Sequence, residues 1–307
     1  MNPTKGIMYK VFALFLFAIM ASLIKAATEH VPSWQAVFFR SFFALPVILI
    51  WLAQRGDLRT GLKVKNPWGH FWRGVIGTTA MALGFTGLAL LPFPEVTAIG
   101  FASAFLIVIF AAILLGEKVR LFRLSAVFVG MIGVGIILYP RITVFDGGTA
   151  STLALWGAIF TLASAAFRAL AQIHIRRLVQ TDETSAIVFY FSLTSTLLAL
   201  FTIPFGWVMP STTETMYLIG AGLIGGVAQI FLTSGYRFAE ASLLAPFDYT
   251  SMIFAILIGY FVFSEIPTAT TIWGSLIIVA AGIAIIWRER QLGLKRGKAR
   301  PSVTPQG

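Results

Sequence analysis

The acidic residue placed most suggestively for binding chemistry is Asp248. It follows Pro246 by two positions and precedes Tyr249, Thr250 and Ser251, all inside a long apolar stretch. Proline has no N–H to donate, so in a helix here it frees the carbonyl of Ser242 and bends the chain. A kink beside a carboxylate and several hydroxyls is how interrupted membrane helices build sites for polar solutes. Lys25, Arg40, Glu95, Arg168 and Gln229 are likewise stranded among apolar neighbours. Ionisable groups in a bilayer are costly unless paired or wetted, so they mark either structural pairs or solute pathways. For Arg40 and Arg168 the two possibilities weigh equally. The candidate substrate-binding set is Arg40, Glu95, Arg168, Gln229, Asp248 and Tyr249.

Other chemistries are poorly supplied. His30, His70 and His174 lie far apart, without the spacing of paired metal ligands, and the chain has no cysteine. Disulfides and thiolate metal sites are therefore excluded, and neither a catalytic residue nor a metal or cofactor is expected. Gly220-Ala221-Gly222-Leu223-Ile224-Gly225 fits the dinucleotide-binding spacing, but no strand precedes it and apolar residues surround it. Gly222 and Gly226 also make a small-xxx-small pair, which lets helices approach closely, so packing is the expected role. A phosphate-binding loop of the ATPase type is absent. A membrane-embedded transferase would need clustered His, Asp or Glu near one interface, and these residues are isolated here.

These residues must be positioned by membrane helices. Of 307 residues, 58% are hydrophobic and 11% charged, with mean hydropathy +0.87. Soluble domains carry about 25% charged residues. Apolar runs of about 20 residues, enough to cross a ~30 Å hydrocarbon core, recur along the chain. Ten are expected, near residues 8–27, 34–53, 71–91, 95–115, up to 139, 152–175, 185–205, 214–236, 241–263 and 270–287. The fold class is thus an all-α integral membrane protein. The first run, behind Lys5 and Lys10, is expected to be an uncleaved helix rather than a signal peptide, given the runs that follow. Residues 290–307 are basic and apolar-poor, and are expected to form a disordered tail.

The chain also repeats itself. Gly74, Gly77, Ala80, Thr86, Gly87 and Glu117 meet Gly222, Gly225, Ala228, Ser234, Gly235 and Glu265 at a constant offset of 148. A fixed register across that many small residues indicates internal duplication. The expected units are 8–139 and 152–289, divided at the interruption 140–151 that holds Gly147 and Gly148. Five spans per unit would make the second enter the membrane in the opposite sense, a device of secondary transporters.

Charge placement sets the expected orientation. With the N-terminus inside, 19 of the 23 lysines and arginines lie on the cytoplasmic side, Arg73 among them, and Arg141 alone lies opposite. That alternation accounts for the net charge of +11 as membrane topology and argues against nucleic-acid binding. At about 1.5 Å per residue, Arg168, Asp248 and Gln229 fall in one layer of the inner half. Lys25, Arg40 and Glu95 fall in a second, outer layer. Arg168 and Asp248 are expected to face one cavity, close enough to interact.

Each half ends its fourth span on an acid, in Leu114-Leu115-Gly116-Glu117 and Val262-Phe263-Ser264-Glu265. With Val37-Phe38-Phe39-Arg40-Ser41 and the run Ala241–Ser251, this pattern resembles the EamA-type drug/metabolite transporter superfamily over residues 8–289. The resemblance implies ten helices, termini inside, and a central cavity lined largely by spans three, four, eight and nine. It also implies a bacterial inner-membrane transporter of a small organic metabolite. Its bacterial branch includes riboflavin importers, making riboflavin uptake the leading expectation. Export of an amino-acid-like solute, held by Arg168 and Asp248, comes second. Lipid bilayer and a small-molecule substrate are the expected partners, and a homodimer is compatible.

Overall fold

The computed structural model describes residues 3–58, 60–115, 121–143, 148–178, 181–238 and 244–298, and among these it is helical without strands. The first half comprises α1 (Pro3–Ala27), α2 (Ser33–Phe42), α3 (Ala44–Gln54), α4 (Pro67–Leu90), α5 (Phe93–Gly100), α6 (Ala102–Leu115) and α7 (Leu121–Thr143). The second comprises α8 (Thr149–Leu178), α9 (Thr184–Leu200), α10 (Thr212–Phe238), α11 (Thr250–Phe263) and α12 (Ala269–Lys298). Short 3-10 turns occupy Ile203–Phe205 and Ala245–Tyr249. Glu117, Gly147 and the stretch from Ala241 to Leu243 lie outside the described residues.

Among the described residues, eight segments are long and apolar enough to cross a membrane, counting α2 with α3 and α5 with α6 as single spans. Two more apolar helices, Ser185–Leu200 and Phe247–Phe263, are shorter. A helix of about 17 residues rises roughly 25 Å, less than the ~30 Å core. Proline explains both. Pro204 cannot donate to the carbonyl of Leu200, so α9 gives way to a 3-10 turn, and Pro246 opens the turn before α11.

Among the described residues, two spans are interrupted. Pro46 cannot donate to the Phe42 carbonyl, and the chain breaks at Phe43 between α2 and α3. The break at Phe101 has no proline. There Phe101 N–H bonds Ala98 O at 3.2 Å, Ala104 N–H bonds Phe101 O at 3.0 Å, and the Ser103 hydroxyl donates to Gly100 O at 2.9 Å. Three-residue bonds and a hydroxyl thus replace the α-helical ladder locally.

Large apolar side chains face outward, including Phe128, Phe261 and Trp273, while Thr161, Ser164 and Ser195 are buried. Lipid gives no hydrophobic drive between helices, so small residues and interhelical hydrogen bonds must hold the bundle. α1 packs along α10, α4 along α8 and α7 along α12. A Cβ on Gly222 would sit 2.5 Å from Phe43 Cβ and 2.8 Å from Phe39 O. The glycine pattern in α10 therefore admits the α2–α3 span. α12 continues to Lys298, into the stretch expected to be a disordered tail. Basic residues suit a helix C-terminus, and no proline intervenes before Pro301.

Candidate functional site

The end of the bundle that holds the C-terminus of α1 (upper, the other being lower) is tied by an ion pair. Lys25 Nζ lies 2.9 Å from Glu265 Oε1 and donates to Leu88 O at 3.1 Å and Leu91 O at 2.7 Å, at the end of α4. Glu265 Oε2 accepts from Phe93 N–H at 2.7 Å, at the start of α5. A cation thus meets a helix C-terminus and an anion a helix N-terminus, so both charges oppose helix dipoles and also pair with each other. The turn at Ser264, with φ of 55°, lets Glu265 N–H bond Gly259 O at 2.8 Å and aims the carboxylate inward. Arg141 holds Glu95 in a two-point pair, Nε to Oε1 at 3.0 Å and Nη2 to Oε2 at 2.7 Å.

Beneath this tied end lies a cavity of about 760 Å³, within the ~300–1,000 Å³ range of small-ligand sites. α1 supplies Lys10, α2 Arg40, α4 Arg73, α8 Arg168, and the 3-10 turn Asp248 and Tyr249. Asp248 Oδ1 lies 2.6 Å from Lys10 Nζ; the lysine is 3% exposed and the carboxylate 45%. Tyr249 packs edge-on against Phe101, with centroids 5.1 Å apart, and a Cβ on Gly282 would overlap its hydroxyl. Arg168 stands over Gly100 and is open to the cavity.

Four expected site residues therefore line one cavity: Arg40, Arg168, Asp248 and Tyr249. Glu95 and Gln229 do not line it; both oxygens of Glu95 are taken by Arg141, and Gln229 is half-buried on α10. Arg168 and Asp248 share the cavity as expected, but the partner of Asp248 is Lys10. Arg40 does not join Lys25 and Glu95 in an outer layer. It is eighth in α2, about 12 Å along the helix, and shares the Phe191 ring with Arg73, at 5.8 Å and 4.2 Å to the centroid.

Charge placement counts Arg73 with the basic residues of the cytoplasmic side. The helix starts at Pro67, with the Asn66 side chain accepting from Gly69 N–H at 2.9 Å, so Arg73 lies two turns inside. An Asn N-cap followed by proline was the signal for that start. Buried Arg40 Nε, Arg73 Nε and Arg73 Nη1 have no hydrogen-bond partner. Among the described residues, no group of three or more His, Cys, Asp and Glu could hold a metal. The arrangement suits reversible capture of a solute, with cationic donors held in a partly wet, partly aromatic chamber.

The chain is similar to known transporters. The EamA-like transporter family matches residues 4–139 and again 155–288. A pseudopaline exporter of Pseudomonas aeruginosa is 32% identical over 284 residues, covering 91% of this chain and 95% of the exporter. An S-adenosylmethionine uptake transporter of Rickettsia prowazekii is 25% identical over 93% of this chain and 94% of its own. A riboflavin transporter of Vibrio cholerae is 29% identical over 97% and 98%. A solved crystal structure at 20% identity shares the fold, with a TM-score of 0.65 over 94% of this chain and 99% of that one. With its cavity, its membrane-spanning helices and these relatives, the chain belongs to the EamA-like transporter family.

Proposed function

We propose that this protein is a bacterial inner-membrane secondary transporter that carries a carboxylate-bearing, amino-acid-like metabolite through the arginine-lined cavity. The observation that carries the choice of solute is the set of buried guanidinium nitrogens on Arg40 and Arg73 with no acceptor. An unmet buried donor is costly, and a carboxylate satisfies arginine through paired, charge-assisted hydrogen bonds. The ammonium of such a solute would meet Asp248, which is half open to the cavity. The halves act as inverted copies of five spans each, α9 and α11 with their 3-10 turns serving as short spans. The interruptions at Phe101 and Tyr249, separated by the repeat offset, support this symmetry. Basic-residue placement favours cytoplasmic termini. The Lys25–Glu265 latch then closes the outer side, and solute exchanges from the cytoplasm.

A second substrate, riboflavin, is favoured by relatives bearing that name and by Phe85, Phe101 and Tyr249 along the cavity, whose rings suit a flat molecule. Expression in a bacterium lacking riboflavin synthesis and import separates the two. Failure to grow on micronutrient riboflavin, with labelled glutamate crossing proteoliposomes of the purified chain, supports the amino-acid-like solute. Growth lost in Asp248→Asn, with no glutamate flux, would replace it with riboflavin uptake.

A further inference from the structure

We propose that the cargo carries at least two carboxylates, held at two separate anion stations; this deepens the transport function above and rests on it. The ionisable side chains lining the cavity, among the described residues, are Lys10, Arg40, Arg73, Arg168, Asp248 and Tyr249. Lys10 and Asp248 neutralise each other. Three guanidiniums remain, and none has a described acidic or carbonyl partner. The first station is Arg40 and Arg73, which flank Phe191 closely enough for their like charges to interact. The second is Arg168, whose guanidinium lies against Gly100 rather than Phe191.

Both stations are built into the backbone. A long basic side chain two turns inside a span is expected to snorkel toward the nearer interface. Arg73 does the reverse. Its Nη1 lies over Gly77, one turn deeper, where a Cβ would overlap it. Arg168 Nη2 similarly lies 3.0 Å from the place a Cβ on Gly100 would occupy. Glycine at each position makes the notch in which the guanidinium sits. Two like charges around one ring in a medium of low dielectric repel strongly, and an anion between them turns that repulsion into attraction. A solute with one carboxylate fills one station and leaves the other uncompensated. A solute with two or three fills both.

The test is a tryptophan-fluorescence titration of the purified full chain with alanine, glutamate, citrate, riboflavin and inorganic phosphate. Affinity is expected to rise about tenfold from alanine, which fills one station, to glutamate and citrate, which fill both, the ratio one charge-assisted contact provides. Arg73→Gln and Arg168→Gln should each flatten that rise. Equal affinity for alanine and citrate would overturn the proposal, as would phosphate or riboflavin binding tighter than citrate. Where a variant fails to fold, the rise in the unaltered chain decides alone. No rise in a chain that still carries labelled glutamate across proteoliposomes refutes the two stations and leaves the transport function standing. Loss of both refutes the two together.

Discussion

Phe101 and Tyr249 meet edge to face with ring centroids 5.1 Å apart, and they are 148 positions apart in the chain. The same offset relates Gly74 to Gly222 and Gly87 to Gly235. Residues related by a two-fold operation touch each other only near its axis. Both lie at an interruption of a helix, Phe101 between α5 and α6 and Tyr249 at the end of a 3-10 turn. An axis through this pair would place the cavity where interrupted helices from both halves converge, as inverted repeats of transporters do.

Such a symmetry would require an odd number of spans per half, and it can be checked by topology. Reporter fusions after Gly148 and after Gly307 should report opposite sides of the membrane, with the Gly307 fusion cytoplasmic. Fusions reporting the same side would mean that one of the short helices, α9 or α11, does not cross.

The Lys25–Glu265 pair should govern access from the upper end. The chain contains no cysteine, so a single Thr97→Cys in the cavity wall can be probed without background. Externally added impermeant maleimide should label it slowly in the parent and severalfold faster with Glu265→Gln. The single amide oxygen of Gln can still accept from Phe93 N–H, while both the charge and the second acceptor oxygen that hold Lys25 are lost. An unchanged labelling rate would mean that the pair does not hold the upper end shut.

Ser264 adopts φ of 55°, the left-handed region that costs a side-chain-bearing residue roughly 1–2 kcal/mol. Gly116 stands 148 positions earlier, where the first half uses a residue free of that cost. Ser264→Gly should stabilise the protein in detergent by about 0.5–1 kcal/mol after the entropic cost of glycine is deducted. A lower unfolding temperature would show instead that the serine side chain contributes to the turn.

Much of this was legible in the residue pattern. Apolar runs pointed to the helices, and the proline before Asp248 to the turn. Arg73 does not stand out as a site residue in the sequence, because an arginine close behind a basic loop resembles a charge that sets topology. Only the Asn66-Pro67 cap placed it deep enough, and nothing in the sequence showed its side chain turning inward. The pairing of Asp248 with Lys10 rather than Arg168 depends on α1 packing against the 3-10 turn and α11, a long-range contact that depth along each helix cannot encode. Glu95 and Arg40 fell into one expected layer because depth alone does not say which way a side chain faces.

Asp248→Asn removes the charge opposite a lysine that is 3% exposed. Initial transport rate should fall roughly tenfold, the order of one charge-assisted contact in a half-wet site, while membrane insertion stays unchanged. Normal flux with normal expression would assign the Lys10–Asp248 pair a purely structural role.

The most direct measurement of the central claim is solute flux through a plugged cavity. Thr97→Cys chain, purified and reconstituted into liposomes, is assayed for flux of labelled glutamate before and after stoichiometric reaction with a bulky maleimide. If the arginine-lined cavity is the route, flux should drop to the protein-free rate, and excess unlabelled glutamate should slow the maleimide reaction. Undiminished flux after complete labelling would contradict the assignment of this cavity as the path of transport.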